Sequence, residues 1–164
     1  MRQISLIVHD VRSAHNVGSL LRSADGLGVD MVYFTGYTPY PAMKNDSRLP
    51  HIAAKQERQI QKTALGAEKT VPSEHIDDLH VLIAKLKQQG YRIVALEQTK
   101  KAISLNKFKP STKIALIVGS EVSGIDNSII DICDTHVQIP MLGKKESFNV
   151  SVAAALALYH LTHM

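Results

Sequence analysis

The stretch IPMLGKKESFNVSVAAALALYH, residues 139–160, runs from the end of an apolar strand through a break at Pro140 and Gly143. It then passes two lysines and a Glu-Ser-x-Asn cluster and enters an Ala-rich apolar helix. Polar chemistry therefore sits directly on a buried helix, whose first N–H groups face the loop. Upstream lie three short apolar runs, 91–96, 114–118 and 136–139, with a short turn or helix at 127–132 between the last two. Such near-continuous apolar runs suit a parallel sheet covered on both faces. The first run empties into Glu97-Gln98-Thr99-Lys100, the second into Gly119-Ser120-Glu121-Val122-Ser123-Gly124, and the third into the 140–149 stretch. Ligands of open α/β sheets bind outside the carboxyl ends of the strands, so these loops together are expected to wall a pocket for a small polar ligand.

The N-terminal half extends the same pattern. A strand at 4–8 ends in His9-Asp10, and Asn16 is read as the cap of a helix with Val17, Leu20, Leu21, Ala24 and Leu27 on its buried face and Gly28 as its stop. Gly18 and Arg22 lie four apart on another face, the small residue leaving room beside the guanidinium. Strand 31–35 completes a strand–helix–strand unit, which reads as parallel α/β. From 36 to 62 the periodicity fails and a long loop is expected, with a helical piece around 53–60. It carries Lys44, Arg48, Lys55, Arg58 and Lys62, interleaved with Tyr37, Tyr40 and His51, a surface suited to phosphates and stacked bases. A further helix is expected from Ser73, with Glu74, Asp77 and Asp78 in its first turn, Ile76, Leu79, Ile83 and Leu86 on its buried stripe, and Lys85 and Lys87 before Gly90.

With 164 residues, 45% of them hydrophobic and 21% charged, the chain is expected to fold as one domain, 1–164. A net charge of +4 favours a polyanionic partner. No apolar run reaches the length of a membrane span, and MRQISLIVHD lacks the anatomy of a signal peptide, so no membrane is expected and the location is read as cytoplasmic. Cys133 stands alone, which excludes an internal disulfide and any multi-cysteine metal site. Gly26-x-Gly28 follows a helix and lacks a third glycine. Gly143-Lys144-Lys145 lacks the spacing of a phosphate-binding loop. His160 and His163 have no carboxylate or cysteine array beside them, so no metal is expected, and no GxSxG elbow is present.

Three segments carry a resemblance. NVGSLLRSADGLGV (16–29), IVGSEVSGI (117–125) and IPMLGKKESFNVSVAAAL (139–156) resemble, in order and spacing, the three motifs of the SpoU or TrmH group of SPOUT RNA methyltransferases, and KTALGAE (62–68) extends the likeness over nearly the whole chain. The resemblance implies a mainly parallel α/β sheet with helices on both faces and a C-terminal deep trefoil knot. It implies S-adenosylmethionine as methyl donor, a homodimer, and methylation of a ribose 2′-hydroxyl in RNA. Set beside family members that carry an additional RNA-binding domain, the chain is expected to be a single methyltransferase domain, 1–164, with no separate RNA-binding domain, and the resemblance then places a tRNA ahead of an rRNA as target. The rival readings are a non-catalytic RNA-binding protein of the same fold and a SPOUT enzyme acting on a base nitrogen; the ESFNVS form of the third motif resembles the ribose type.

Carried onto this chain, the resemblance marks Asn16, Arg22, Glu121, Ser147 and Asn149 as catalytic positions. It assigns the methyl donor to Leu96, Glu97, Gln98, Thr99, Gly119, Ser120, Glu121, Gly124, Ile139, Pro140, Met141, Gly143, Ser147 and Phe148, the last standing where Leu is common in the family. RNA is expected to meet Arg12, Arg22, Lys44, Arg48, Lys55, Arg58, Lys62 and Lys144. Arg22 is expected to hold phosphate or a developing alkoxide, since a guanidinium stays protonated and is a poor general base. Asn16 would both cap a helix and order Arg22, Glu121 would order the donor loop or a neighbouring subunit's catalytic residues, and Ser147 and Asn149 would cap the last helix and orient substrate.

Overall fold

A computed structural model describes residues 2–164. Among them, a seven-stranded, wholly parallel sheet has the order β3-β2-β1-β6-β4-β7-β5. The strands are β1 (Gln3–His9), β2 (Met31–Thr35), β3 (Ser73–Ile76), β4 (Arg92–Leu96), β5 (Ile103–Ser104), β6 (Lys113–Val118) and β7 (Thr135–Gln138). The helices are α1 (Ala14–Gly26), α2 (Pro50–Ala64), α3 (Ala67–Thr70), α4 (Leu79–Gln88), α5 (Asn127–Ile130) and α6 (Val150–His163).

Strand alternation builds two cores. Ile4, Leu6 and Val8 of β1, with Ile114, Leu116 and Val118 of β6, face α1 and α6 on one side. Ile7, Ala115, Ile117 and Ile93 face Leu79, Leu82, Ile83 and Leu86 of α4 on the other. Side chains two apart share a face, so a strand buried on both sides reads as an unbroken apolar run, and the two helical layers are its consequence. From Val152 to Leu158, α6 carries no polar side chain on any side. Ala154, Ala157, Leu158 and Leu161 are buried, whereas Val152, Leu156 and Tyr159 are exposed. No helix among the described residues is long and apolar enough to cross a membrane.

The structure corrects several expectations. Ser73–Ile76 is an edge strand, paired in parallel with β2 from Val32↔Ser73 to Thr35↔Ile76, and the helix begins only at Leu79. Asp78, expected inside the first turn, is its cap, accepting from the N–H groups of His80 (2.8 Å) and Val81 (3.2 Å). Asn16 lies within α1; Ser13 caps that helix, its side chain accepting from Asn16 N at 3.2 Å. Gly18 makes room for α2 rather than for Arg22: a side chain there would run into Ile60 O, Ala64 N and Thr63 Oγ1. Thr63 Oγ1 also donates to His15 O at 2.7 Å, and α2, longer than the expected helical piece, lies tight against α1.

Candidate functional site

β4, β6 and β7 end side by side, with Ala95 opposite Ile117 and Leu96 opposite Val137. Their loops, with the start of α6, enclose a cleft of about 520 Å³, within the range of roughly 300–1,000 Å³ usual for small-molecule sites. Its apolar walls include Leu96, Val118, Ile139, Met141, Phe148 and Ala153, and its charged side chains are Glu97, Glu121 and Glu146, with no lysine or arginine among the described lining residues. Three carboxylates and no base make a poor receptacle for a polyphosphate and a good one for an organic cation bearing an apolar ring.

The floor is a tight loop. Ser120 and Gly124 exchange backbone hydrogen bonds at 3.0 Å each, and Ser120 Oγ accepts from Val122 N (3.3 Å) and Ser123 N (3.4 Å). Gly124 has φ +68, and a side chain on it would collide with the Glu97 carboxylate, which accepts from Ile125 N at 3.0 Å. A side chain on Gly119 would come to 2.5 Å from Gly124 O. These two glycines let the β6 loop fold back onto the β4 loop at the floor of the cleft. Gln98 Nε2 donates to Glu146 O at 2.8 Å, joining the β4 loop to the β7 loop.

At the rim, three distant parts of the chain meet. The Glu121 carboxylate accepts from Arg12 N (3.1 Å), Ser13 N (3.2 Å) and Asn16 Nδ2 (2.8 Å). Asn149 Nδ2 donates to Asn16 Oδ1 at 3.1 Å, and Asn149 Oδ1 caps α6, accepting from Ser151 N (2.9 Å) and Ser151 Oγ (2.6 Å). Desolvation alone would raise the Glu121 carboxyl, but the hydrogen bonds from Asn16, Arg12 and Ser13 outweigh it and hold the group below the usual carboxylate range. Each amide is oriented by a partner that only one of its ends can satisfy, so the chain Glu121–Asn16–Asn149 has a defined polarity.

Of the residues expected at the donor site, Leu96, Glu97, Gln98, Gly119, Ser120, Glu121, Gly124, Ile139, Met141, Ser147 and Phe148 line the cleft. Thr99, Pro140 and Gly143 are not among its lining residues. Thr99 Oγ1 instead lies 3.1 Å from His136 Nδ1. Gln138, Val150 and Ala153 line it and were not singled out from sequence; they belong to a strand end and a helix face, where nothing but position marks them.

Arg22 is exposed on α1 and is not a lining residue. Six residues beyond Asn16, it lies about 9 Å along the helix and roughly 120° around it, so the two do not share a face. Among the expected cations, Arg12, Lys44, Lys55, Arg58, Lys62 and Lys144 are exposed. Arg48 is a correction: its guanidinium donates to Asp46 (2.9 and 2.5 Å), Tyr40 O (2.8 Å), Pro41 O (3.1 Å) and Gln56, and stacks 3.5 Å from the Tyr40 ring centroid. All its donors are engaged, so it braces the 40–48 loop and has nothing left for phosphate. Tyr40 is likewise buried, stacked on His75 at 4.2 Å. Burial pushes the Cys133 thiol up to about 11, and its sulfur donates to Ile129 O at 3.1 Å; it is no nucleophile.

The family model described as the SpoU rRNA Methylase family matches residues 3–159. A candidate TrmH family tRNA/rRNA methyltransferase of Staphylococcus epidermidis is 31% identical over 156 residues, 95% of this chain and 57% of that protein. The chain thus spans little more than half the length of the curated relatives it matches. A TrmH/SpoU tRNA modifying enzyme of A. aeolicus is 25% identical with a TM-score of 0.81, covering 99% of this chain and 75% of that one. An AdoMet-bound rRNA methyltransferase of Sinorhizobium meliloti shares the fold at 18% identity, with a TM-score of 0.79 over 97% of this chain and 55% of that one.

Proposed function

The chain belongs to the SpoU rRNA methylase family, and we propose that it transfers the methyl group of S-adenosylmethionine to a ribose 2′-hydroxyl of RNA, in a tRNA ahead of an rRNA. The observation that carries this reading is the junction of Glu121, Asn16 and Asn149 on the rim of a cleft lined by carboxylates and apolar walls. S-adenosylmethionine supplies a methyl group on a positively charged sulfur. Glu97, Glu121 and Glu146 match that charge, and Leu96, Ile139, Met141 and Phe148 offer an apolar slot for an adenine. The tight 119–124 loop presents backbone groups in fixed positions.

The protein's task in such a displacement is alignment. Glu121 fixes Asn16, Asn16 fixes Asn149, and Asn149 with Ser147 holds the ribose against the open side of the cleft. Arg22 holds the adjoining phosphate or the developing alkoxide, and its guanidinium remains charged throughout. Its distance from Asn16 along α1 fits a contribution from one protomer of a homodimer to the cleft of its partner. The exposed Val152, Leu156 and Tyr159 face of α6 supports that dimer, because a helix apolar on both sides has a second surface to bury. A C-terminal trefoil knot is part of the same proposal, supported by the return of α6 from β7, on one side of β4, to α1. Lys55, Arg58 and Lys62 form an exposed stripe on α2 suited to phosphates.

Titration calorimetry with S-adenosylmethionine tests the donor site, and loss of any binding heat would reject it. Arg22→Ala is expected to keep donor binding while turnover falls about a hundredfold or more; near-normal turnover would remove Arg22 from the mechanism.

A further inference from the structure

Tyr37 stands outside the cleft with 54% of its surface exposed, and its backbone is tied to the loop after β1. Its N–H donates to Asp10 Oδ1 at 3.1 Å, Asp10 N donates to Thr35 O at 3.3 Å, and Val11 N donates to Thr38 Oγ1 at 3.2 Å. Asp10 (φ 55) and Gly36 (φ 63) are both left-handed, and a side chain on Gly36 would strike the Asp10 carboxylate. The loops after β1 and β2 are therefore clipped together. Loop residues that are both immobilised and exposed are well placed to meet a ligand at little entropic cost.

The Tyr37 ring has one neighbour of consequence. The Arg12 guanidinium lies 5.5 Å from its centroid, while the Arg12 N–H donates to Glu121 at 3.1 Å. Asp10, which anchors Tyr37, and Arg12, which touches the catalytic rim, are two residues apart, a span of about 7 Å. An aromatic face and a planar cation thus lie beside the backbone that Glu121 holds at the cleft rim. An exposed ring paired with arginine is the surface on which unpaired bases stack, and the cation can serve the phosphate beside them.

We propose that Tyr37 and Arg12 form a stacking platform for the nucleobase next to the methylated nucleotide, so that the target ribose is presented with its neighbour held flat outside the cleft. This rests on the RNA methyltransferase reading of the site. Because every base has a π-face, the platform supplies position and not sequence selectivity.

The test is binding of unfractionated bacterial tRNA, with an rRNA preparation in parallel, to the full chain and its Tyr37→Leu and Tyr37→Phe variants. Tyr37→Leu is expected to weaken RNA binding about tenfold, and Tyr37→Phe to recover it to within about twofold. The slope of log Kd against log salt should be unchanged in both, since no phosphate contact is lost, whereas Arg12→Gln should lower it by about one. S-adenosylmethionine affinity and the thermal midpoint should match the parent protein. Equal RNA affinity in Tyr37→Leu overturns the platform, as does Tyr37→Phe failing as badly as Tyr37→Leu, or no binding of the parent protein to either RNA. A parent protein that binds RNA with the expected Tyr37 dependence but methylates none keeps Tyr37 and Arg12 as a base-stacking contact and overturns both the enzyme reading and the placement of that base beside a methylated nucleotide.

Discussion

Arg48 is the residue whose context overrules its type. With every donor engaged and its side chain only 13% exposed beside an equally buried Asp46, its removal would leave Asp46 and two carbonyls unanswered. Arg48→Ala is expected to cost about 2 kcal/mol or more in urea unfolding, and Arg48→Lys to recover little, because an ammonium cannot reproduce the fork. Glu121 gives a prediction in pH. Its folded carboxyl lies below the usual range, so its bonds to Arg12, Ser13 and Asn16 are in place above the unfolded carboxylate pKa and are lost as pH falls through the depressed one. Thermal midpoints should therefore drop on acidification less steeply in Glu121→Gln than in the parent protein. Glu121 and Asn149 were legible because their motifs resemble a family pattern. Arg48 was not, since the carbonyls that wrap it come from a loop whose path no periodicity describes. The cap of α1 is not decided by residue type, because Ser13 and Asn16, three residues apart, are equally good caps.

At the level of elements, the close approach of α1 and α2 depends on Gly18. Gly18→Ala would place a methyl group against backbone atoms that cannot yield independently, and a loss of about 1–3 kcal/mol is expected in the same unfolding measurement. Asn16, and with it the rim junction, rides on α1 and should be disturbed along with it. Apolar runs marked β1, β2, β4, β6 and β7 because each is buried on at least one face. β3 is not legible in the sequence: its SEHI segment lies on the edge, where no apolar alternation is imposed, and the acids that follow resemble a helix start. β5 is two residues long and carries no pattern at all.

For the molecule as a whole, strand order was beyond reach of the sequence. Placement of β4 between β6 and β7 is a nonlocal pairing that leaves no trace in any single segment. The cleft follows from that order, because it brings the carboxyl ends of β4, β6 and β7 together. The exposed apolar face of α6 is a surface of the whole molecule too. Leu156→Asp is expected to turn a dimer into a monomer by light scattering and to abolish turnover while the fold survives, and a parent protein that is already monomeric at micromolar concentration would count against a shared site. The most direct measurement of the central claim is to incubate the full chain with methyl-labelled S-adenosylmethionine and total RNA from a strain that lacks the protein, then digest the RNA to nucleosides and identify the labelled product by mass spectrometry. A ribose-methylated nucleoside, absent with Asn149→Ala, is the result expected; label on a base, or none in any RNA, would contradict it.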